Sequence, residues 1–350
     1  ALKKNGKNLT SWFDISDSFG VHQTSKVVPP SAGVSSSSGE WFGKAIALDH
    51  TTGNFLAIGM PGDDTTTSLI EVGQVHMYAR NTPGDSQSSW THYQTINPPG
   101  SPNAPHLRMY FGDQVCLDGD TLIISAYQHI ISPNSNETGS VFIYKRSNPS
   151  VATSVFVLVQ EIQPPNFSSV GSSQEIRFGL HVSLSVDTCI ISCQDRISGY
   201  PSSYNDLAAG AVEIYTRDTP GDSTSTWSHF QTLQQHLSYT AGSGRRYFGR
   251  FTCIKGNTIA IGTSGEEAVH IYTRANSTLS TSFSLADTLY PDDPPDQFNI
   301  DTKTTVGSVG EHQFGSSIDI HKDGDEIVVR SAKWAPTGSL LNTDRTGKFY

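Results

Sequence analysis

This sequence of 350 residues contains no long apolar run and no cluster of basic residues, and only 16% of its residues are charged. No segment approaches the roughly 20 apolar residues that a membrane-spanning helix needs. The net charge is −10 and no cluster of Lys and Arg occurs, so the chain lacks the positive surface that gives proteins affinity for nucleic acids. Neither nucleic acid nor insertion into a membrane is expected.

Motifs for metals, cofactors and catalysis are also missing. The four cysteines are too few for a disulfide scaffold, and their spacing matches no zinc pattern. The sequence contains no HExxH, no GxSxG and no phosphate-binding glycine loop. We therefore predict no metal, no cofactor and no catalytic residues. The chain begins at Ala1 without a signal-peptide pattern, which we interpret as a mature or trimmed chain.

The sequence is rich in glycine and aromatic residues and poor in charged ones. The chain has 31 Gly and 10% aromatic residues, but only 16% charged residues. Disorder normally combines low hydrophobicity with high charge and few aromatics, so a folded chain is expected. Abundant Ser, Thr, Gly, Tyr and Phe with few Ala, Met, Lys or Glu favours strands over helices. The expected fold class is all-β.

A Phe-Gly pair recurs five times, with spacings of 69, 67, 70 and 66 residues. The pairs begin at Phe42, Phe111, Phe178, Phe248 and Phe314. Each pair opens an apolar alternation, then a tight polar turn such as Asp118-Gly119-Asp120, then a second apolar run. Asp-Gly at such a turn is a strong signal for a β-hairpin. Each repeat therefore begins with two antiparallel strands.

Two further strands are predicted in the repeats. Third strands are expected at 73–78, 139–144, 210–215, 268–272 and 347–350, and fourth strands at 90–96, 156–162, 227–233 and 283–289. A four-stranded meander with two apolar faces cannot bury both alone, so the units must stack. The predicted fold is a single β-propeller domain over 1–350. Its blades span 42–110, 111–177, 178–247, 248–313, and 314–350 together with 1–41.

The fifth repeat ends after its third strand at Tyr350, and its fourth strand is predicted at the other end of the chain. Residues 21–30 align with 90–99, and in both segments the second Pro precedes the next Phe by 12 residues. An N-terminal strand that completes the last blade would close the ring and leave no open edge. This favours five blades with an N-terminal strand closing the last one; the alternative is a fragment of a larger propeller.

The segments 110–126, 139–146 and 225–233 resemble FG-GAP repeats, the family that includes the integrin α-subunit propeller and many secreted microbial propellers. The resemblance covers nearly the whole chain through five ordered copies. It implies a β-propeller used for extracellular recognition or adhesion. The family's calcium-binding copies carry a DxDxDG-type loop between the first two strands, where this sequence has short Asp-Gly-Asp hairpins. Folding is therefore not expected to depend on calcium.

In such a propeller, the loops between strands two and three and those leading to the next Phe-Gly share one rim, on which the integrin propeller engages its partners. Long loops with aromatic and charged tips are frequent recognition sites. The predicted ligand-binding residues on this rim are Asp63, Asp64, Tyr127, His129, Asp195, Arg196, Tyr200, Tyr204, Arg245, Arg246, Glu266 and Trp334. Plain exposure in a loop is the competing interpretation for each.

Two pairs of polar residues are predicted to face each other on outer strands. The expected register places His76 directly opposite His92, and Glu213 opposite His229. A zinc ion would need further ligands that the sequence does not supply. Cross-strand polar pairs are therefore the favoured interpretation. A solvated Pro-rich loop is the favoured interpretation of the acidic residues after the fourth blade, Asp287, Asp292, Asp293, Asp296 and Asp301.

The favoured function is a non-catalytic module, secreted or on the cell surface, that binds a protein or glycan through the rim or assembles with other copies or subunits. A secreted carbohydrate-active enzyme or a lectin using the central channel is the alternative. Such an enzyme needs an acid and a base that converge on one cavity, and the inner strands offer mainly the carboxylates of Asp113 and Asp319, from blades that are not neighbours. At least one N-glycosylated site is expected; the sequons lie at Asn8, Asn136, Asn166 and Asn276.

Overall fold

The fold is that of a computed structural model, which describes residues 3–4, 7–8, 27–30, 40–49, 51–64, 71–99, 108–131, 137–148, 151, 153–165, 176–193, 210–234, 247–263, 268–290, 298–299, 304–305, 314–321, 326–331 and 348–349. All regular structure in these residues is β, in 23 strands. The predicted all-β class is confirmed. Within the same ranges no helix is long and apolar enough to cross a membrane.

Five antiparallel sheets follow one another along the chain, like the blades of a propeller. Sheet 1 contains β3 (Ala45–Leu48), β4 (Phe55–Met60), β5 (Gln74–Arg80) and β6 (Trp90–Ile96). Sheet 2 contains β7 (Val115–Asp118), β8 (Thr121–Ala126), β9 (Ser140–Arg146) and β10 (Phe156–Ile162). Sheet 3 contains β11 (Phe178–Ser185), β12 (Thr188–Cys193), β13 (Ala211–Arg217) and β14 (Trp227–Leu233). The order of strands in each of these sheets follows the chain, as the meander predicts.

Sheet 4 contains β15 (Phe248–Lys255), β16 (Thr258–Thr263), β17 (Ala268–Thr273) and β18 (Ser284–Leu289). Sheet 5 has three strands in the described residues, β21 (Phe314–Ile320), β22 (Ile327–Ser331) and β23 (Lys348–Phe349). Two short strand pairs are separate from these five sheets: β1 (Lys3–Lys4) with β2 (Lys7–Asn8), and β19 (Phe298–Asn299) with β20 (Thr304–Thr305). The repeated sheets are thus confirmed, while the number of blades and the closure of a ring stay predictions.

The hydrophobic core is divided among the interfaces between consecutive sheets. Val115 and Leu117 from the first strand of sheet 2 cluster with Val75 and Met77 of sheet 1. Equivalent first-strand residues of sheets 3, 4 and 5 cluster with the sheet before them. Sheets 2, 3 and 4 each bury one apolar face against the preceding sheet and the other against the following sheet, which is how stacked repeats form a continuous core.

The Phe-Gly pairs lie at these interfaces. Phe111 is fully buried, and its N–H donates to the carbonyl of Val72 at 2.9 Å. A Cβ added to Gly73 would lie 2.1 Å from the Phe111 carbonyl oxygen. The same close approach joins Gly139 to Phe178, and Gly210 to Phe248. The repeated Phe therefore marks the place where a sheet meets the start of the preceding sheet's third strand, and only glycine leaves room for that contact.

Glutamines in the fourth strands link neighbouring sheets. The Gln94 side chain donates from Nε2 to the Phe156 carbonyl at 2.9 Å and accepts the Phe156 N–H on Oε1 at 2.7 Å. Gln160 makes the same two bonds to Trp227, and Gln231 makes them to Phe283. A side-chain amide therefore takes the place of a backbone partner between sheets.

A β-bulge interrupts each described fourth strand, and it overturns the predicted pairing of the histidines. The extra residue in β6 is Tyr93, so His92 faces Tyr78 and His76 faces Thr95. Tyr93 packs against the core between sheets 1 and 2, and such a residue shifts the register of its strand by one. The prediction that His76 lies directly opposite His92 is therefore wrong, although the two ring centroids are 5.5 Å apart.

The predicted pairing of Glu213 with His229 is wrong for the same reason. Glu213 faces Thr232, because β14 contains the equivalent bulge at Phe230. The Glu213 carboxylate still accepts hydrogen bonds from His229 Nε2 at 2.8 Å and Thr232 Oγ1 at 2.6 Å. Among the residues that the structure describes, no group of three or more His, Cys, Asp or Glu could hold a metal ion.

The first hairpin of sheet 3 contains a strained valine. Gly119 and Gly256 adopt a left-handed φ of 56° in the hairpins of sheets 2 and 4, and Val186 has a φ of 53° at the same position. This conformation costs about 1–2 kcal/mol for a residue with a Cβ, and Val186 is 66% exposed, so its side chain packs little. We expect Val186→Gly to raise the free energy of unfolding by about 1 kcal/mol in urea denaturation. The reverse change, Gly119→Val, should lower it; no change in either variant would contradict the assignment.

Candidate functional site

The residue before each described Phe-Gly pair in sheets 1 to 4 has a left-handed backbone. Its φ is 54° at Trp41, 54° at Tyr110, 52° at Arg177 and 54° at Tyr247. A hydrogen bond closes a tight turn at each position; in sheet 2 the Asp113 N–H donates to the Tyr110 carbonyl at 3.1 Å. Non-glycine residues in this conformation are strained, and such strain concentrates at functional sites.

Three aromatic rings stack where sheets 1 and 2 meet. The ring centroids of Trp41 and Tyr110 are 5.9 Å apart with 10° between the planes, and those of Tyr110 and Tyr127 are 5.6 Å apart with 12°. We call Trp41, Tyr110 and Tyr127 the aromatic ladder. Tyr127 follows the second strand of its sheet, whereas Trp41 and Tyr110 precede Phe-Gly pairs. Loops of the two kinds predicted to share a rim therefore meet here.

A buried carboxylate fixes the middle ring of the ladder. Glu71 Oε2 accepts a hydrogen bond from the Tyr110 hydroxyl at 2.8 Å and lies 3.2 Å from Arg108 Nε. The Glu71 side chain is 11% exposed, whereas that of Arg108 is 65% exposed. Burial and the neighbouring Glu71 carboxylate raise the pKa of Tyr110. The Tyr110 hydroxyl therefore stays protonated and remains a hydrogen-bond donor at neutral pH.

A second ion pair lies beside Tyr127. Asp113 Oδ1 is 3.9 Å from Lys44 Nζ, and the Lys44 side chain is 48% exposed. Burial raises the pKa of Asp113 above its ordinary value. Burial, followed by the nearby Asp113 carboxylate, raises the pKa of Tyr127 to about 12. The ladder is thus bordered by two ion pairs, and one of them joins Lys44, just before the first strand of sheet 1, to Asp113, just before the first strand of sheet 2.

Three of the predicted ligand-binding residues are buried instead of exposed at loop tips. Asp63 is 1% exposed, Asp64 5% and His129 4%. Asp63 accepts a hydrogen bond from Gln74 Nε2, and Asp64 Oδ1 accepts the N–H of Glu71 at 2.8 Å. These two aspartates therefore fix the Gln74 side chain and the backbone at Glu71.

Tyr127 is the predicted ligand-binding residue that the structure places in the ladder. The other predicted positions lie outside the described residues: Asp195, Arg196, Tyr200, Tyr204, Arg245, Arg246, Glu266 and Trp334. Sequence reasoning did not single out Trp41, Tyr110 or Glu71. A signal was present, because Trp, Tyr, Arg and Tyr precede the first four Phe-Gly pairs.

One sequon lies on an exposed turn of the described chain. Asn276 Oδ1 accepts the N–H of Thr278 at 3.1 Å and a hydrogen bond from Thr281 Oγ1 at 2.7 Å. Both bonds end on the oxygen and not on Nδ2, the atom that would carry a glycan. Asn8 lies in β2, and Asn136 and Asn166 fall outside the described residues.

A cavity of about 560 Å³ is lined by residues from the first strands of all five sheets. Of the two carboxylates considered for catalysis, Asp319 lines this cavity, whereas Asp113 lies beside Lys44 at the ladder. His181 also lines the cavity, with Nδ1 3.1 Å from Thr252 Oγ1. Burial lowers the pKa of His181 to about 4. The imidazole is therefore neutral at neutral pH.

Asp63 should give the fold a measurable pH dependence. Burial, with Glu40 and Asp64 nearby, raises the pKa of its carboxyl from 3.8 to about 6. Because the folded chain binds this proton more tightly than the unfolded chain, ionisation of Asp63 destabilises the fold as pH rises between those values. The stability of Asp63→Asn relative to the parent chain should therefore increase from about pH 4 to pH 6 and level off above about pH 7. Urea denaturation across this range measures it, and a difference independent of pH would contradict the assignment.

No known protein family and no curated protein matches the sequence. Similar solved structures include Sqt1 from Chaetomium thermophilum, with 14% identity, a TM-score of 0.45 and coverage of 85% of this chain and 56% of that one. A functionally unknown protein from Desulfotomaculum acetoxidans DSM 771 has 10% identity, a TM-score of 0.42 and coverage of 81% and 61%. A candidate 6-phosphogluconolactonase from Bacteroides uniformis ATCC 8492 has 8% identity, a TM-score of 0.44 and coverage of 88% of both chains. The chain therefore spans less than two thirds of the first two structures.

Proposed function

We propose that the chain is a non-catalytic extracellular recognition module that binds a protein or a glycan through the rim bearing the aromatic ladder. The main support is the ladder itself, in which left-handed turns place Trp41 and Tyr110 in a stack with Tyr127. The Trp41 side chain is 46% exposed although it is large and apolar. Trp, Tyr and Arg supply most of the binding energy at recognition surfaces, and exposed apolar groups framed by polar ones mark such surfaces.

The proposed scaffold is a five-bladed propeller of the FG-GAP type, closed by the N-terminal segment. The Tyr78 hydroxyl donates to the Val28 carbonyl at 2.8 Å, and the Tyr215 hydroxyl donates to the Gln163 carbonyl at 3.4 Å. Gln163 follows the fourth strand of sheet 2, and Val28 holds the corresponding place in the aligned segment 21–30. Val28 thus makes the same contact with sheet 1 that Gln163, at the end of sheet 2, makes with sheet 3. This supports closure.

The extracellular location rests on the resemblance to FG-GAP repeats and on the exposed sequon at Asn276. Assembly with other copies or subunits through the sides of the propeller is part of the same proposal. The loops differ between the repeats, whereas the scaffold is repetitive. Binding residues on a rigid scaffold concentrate in loops, which fits a recognition module of this kind.

A pull-down with a matched pair of variants tests the function. The parent chain, a rim variant (Trp41→Ala with Tyr127→Ala) and Leu285→Ala are immobilised and incubated with a surface extract from the source organism. Leu285 is a fair control, because it is 55% exposed and lies in β18, an outer strand. We expect the parent chain and Leu285→Ala to capture the same ligand and the rim variant to lose it. Equal capture by all three proteins would contradict recognition through the ladder.

A further inference from the structure

We infer that the aromatic ladder binds a neutral sugar residue, with the sugar's flat C–H face on the indole of Trp41 and its hydroxyls on the polar groups beside it. The inference rests on the proposed recognition function and narrows its ligand from a protein or glycan to a glycan. It starts from the geometry of Trp41. One ring neighbour, Tyr110, lies nearly parallel to the indole at 5.9 Å, and 46% of the residue is exposed. A flat apolar surface therefore faces solvent.

The polar groups beside the indole are fixed before any ligand arrives. The Tyr110 hydroxyl is bound to Glu71 Oε2, and Arg108 Nε lies on the same oxygen. Both contacts end on Oε2, so within the described part of the chain Oε1 carries no hydrogen bond and could accept one from a ligand hydroxyl. The Glu71 N–H donates to Asp64 Oδ1 at 2.8 Å, which anchors the backbone. A site that is ordered in advance loses less freedom on binding, and this matters for a small ligand.

The charge of the site favours a neutral ligand. Glu71 is paired with Arg108, and Asp113 is paired with Lys44. The carboxylate and the cation of each pair compensate each other, so the two pairs together carry no net charge that would attract a charged ligand. Hydroxyl groups can bond to carboxylate and guanidinium groups without breaking them. An uncharged polyhydroxylated ligand fits these groups best.

The apolar area also favours a sugar over a protein surface. Trp41 and Val28 are the large hydrophobic side chains that are strongly exposed among the described residues of the loops assigned to this rim. Stable protein interfaces bury about 800 Å² on each partner, whereas a small ligand is recognised by one or two apolar faces and a few well-placed polar groups. The ladder with Glu71 and Arg108 has the second composition.

Calorimetric titration with neutral oligosaccharides tests the inference. The probes are hexamers of glucose, mannose, galactose and N-acetylglucosamine, each tested against the parent chain, Trp41→Ala, Trp41→Phe and Leu285→Ala. We expect at least one hexamer to bind the parent chain and Leu285→Ala with equal affinity. Trp41→Ala should weaken this binding at least tenfold, and Trp41→Phe, which retains an aromatic face, should weaken it less. Thermal melting of each variant verifies that it is folded.

Two outcomes would overturn the inference. One is a parent chain that binds none of the four hexamers, and the other is a Trp41→Ala variant that binds as tightly as the parent. The pull-down described above separates this failure from failure of the proposed function. If the rim variant loses a ligand that the parent chain still captures after enzymatic deglycosylation, the rim recognises a protein and only the sugar inference fails. If the rim variant loses the ligand and deglycosylation also abolishes its capture by the parent chain, the sugar inference gains support.

Discussion

Replacing Gly139 by Ala is expected to lower the free energy of unfolding by at least about 3 kcal/mol. Its φ is +82°, and an added Cβ would lie 2.1 Å from the Phe178 carbonyl oxygen and 2.9 Å from the Tyr127 carbonyl oxygen. Both obstacles are backbone atoms, so no side chain can rotate away. Relief requires sheets 2 and 3 to separate, which also weakens the bond from the Phe178 N–H to the Thr138 carbonyl at 3.0 Å.

A second glycine separates the effect of the contact from the effect of backbone conformation. Gly84 has a φ of +81°, but a Cβ there would meet no atom within 4 Å. Gly84→Ala should therefore cost only about 1 kcal/mol of backbone strain. Urea or thermal denaturation of both variants measures the difference. Equal losses would show that the close approach between sheets is not what requires glycine at position 139.

The same variant links the scaffold to the proposed site. The Tyr127 carbonyl is one of the atoms that an alanine at 139 would displace, and the Tyr127 ring forms the inner end of the aromatic ladder. Any Gly139→Ala chain that still folds should therefore bind the rim ligand more weakly than Gly84→Ala does. The close contact at an interface glycine therefore also positions a ring of the aromatic ladder.

The repeat could be predicted closely from sequence because local patterns determine it. The fourth strands expected at 90–96, 156–162 and 227–233 have those bounds in the structure. Alternation, hairpin turns and the Phe-Gly period are properties of short segments. The sequence did not reveal the bulge at Tyr93, because this residue gives up its pairing with β5 and packs between sheets 1 and 2. Whether a residue does so depends on packing against a neighbouring sheet, and the sequence around it carries no local signal.

The site was harder to predict for a related reason. Asp63, Asp64 and His129 have the polar character of loop tips, yet all three are buried and hydrogen-bonded. Side-chain type does not reveal whether a loop folds back on itself. Trp41 and Tyr110 could have been found from their position before Phe-Gly, but their left-handed backbone follows from the turn that each Phe-Gly contact requires. The proposed function of these positions therefore depends on packing between sheets.

Deleting residues 1–30 is expected to lower the free energy of unfolding by about 4 kcal/mol or more. A fourth strand of sheet 5 formed by residues 21–28 would contribute roughly four to six backbone hydrogen bonds to the neighbouring strand, each worth about 1 kcal/mol. Its removal would leave the edge at β23 (Lys348–Phe349) unpaired, and open edges invite association between chains. The truncated chain should therefore melt earlier and aggregate more readily than the parent chain.

Closure would also bury an apolar face of sheet 1. Ile46 is 63% exposed and Leu48 is 45% exposed. Their equivalents in sheet 2, Val115 and Leu117, are 7% and 2% exposed because they pack against the preceding sheet. Sheet 5 is the sheet that a five-membered ring would place against Ile46 and Leu48. Exposed apolar residues of this size favour such a partner, since covering each is worth about 1.5–3 kcal/mol.

Two tyrosines provide a test that does not depend on the truncated chain being soluble. If Val28 follows the fourth strand of the last blade as Gln163 follows that of sheet 2, Tyr78→Phe removes the same kind of bond as Tyr215→Phe does between sheets 2 and 3. Both changes should then cost about 1 kcal/mol, and a synthetic peptide of residues 1–30 should restore stability to the truncated chain. A truncated chain that melts at the parent's temperature, together with a Tyr78→Phe variant as stable as the parent, would contradict closure by the N-terminal segment and favour a piece of a larger ring.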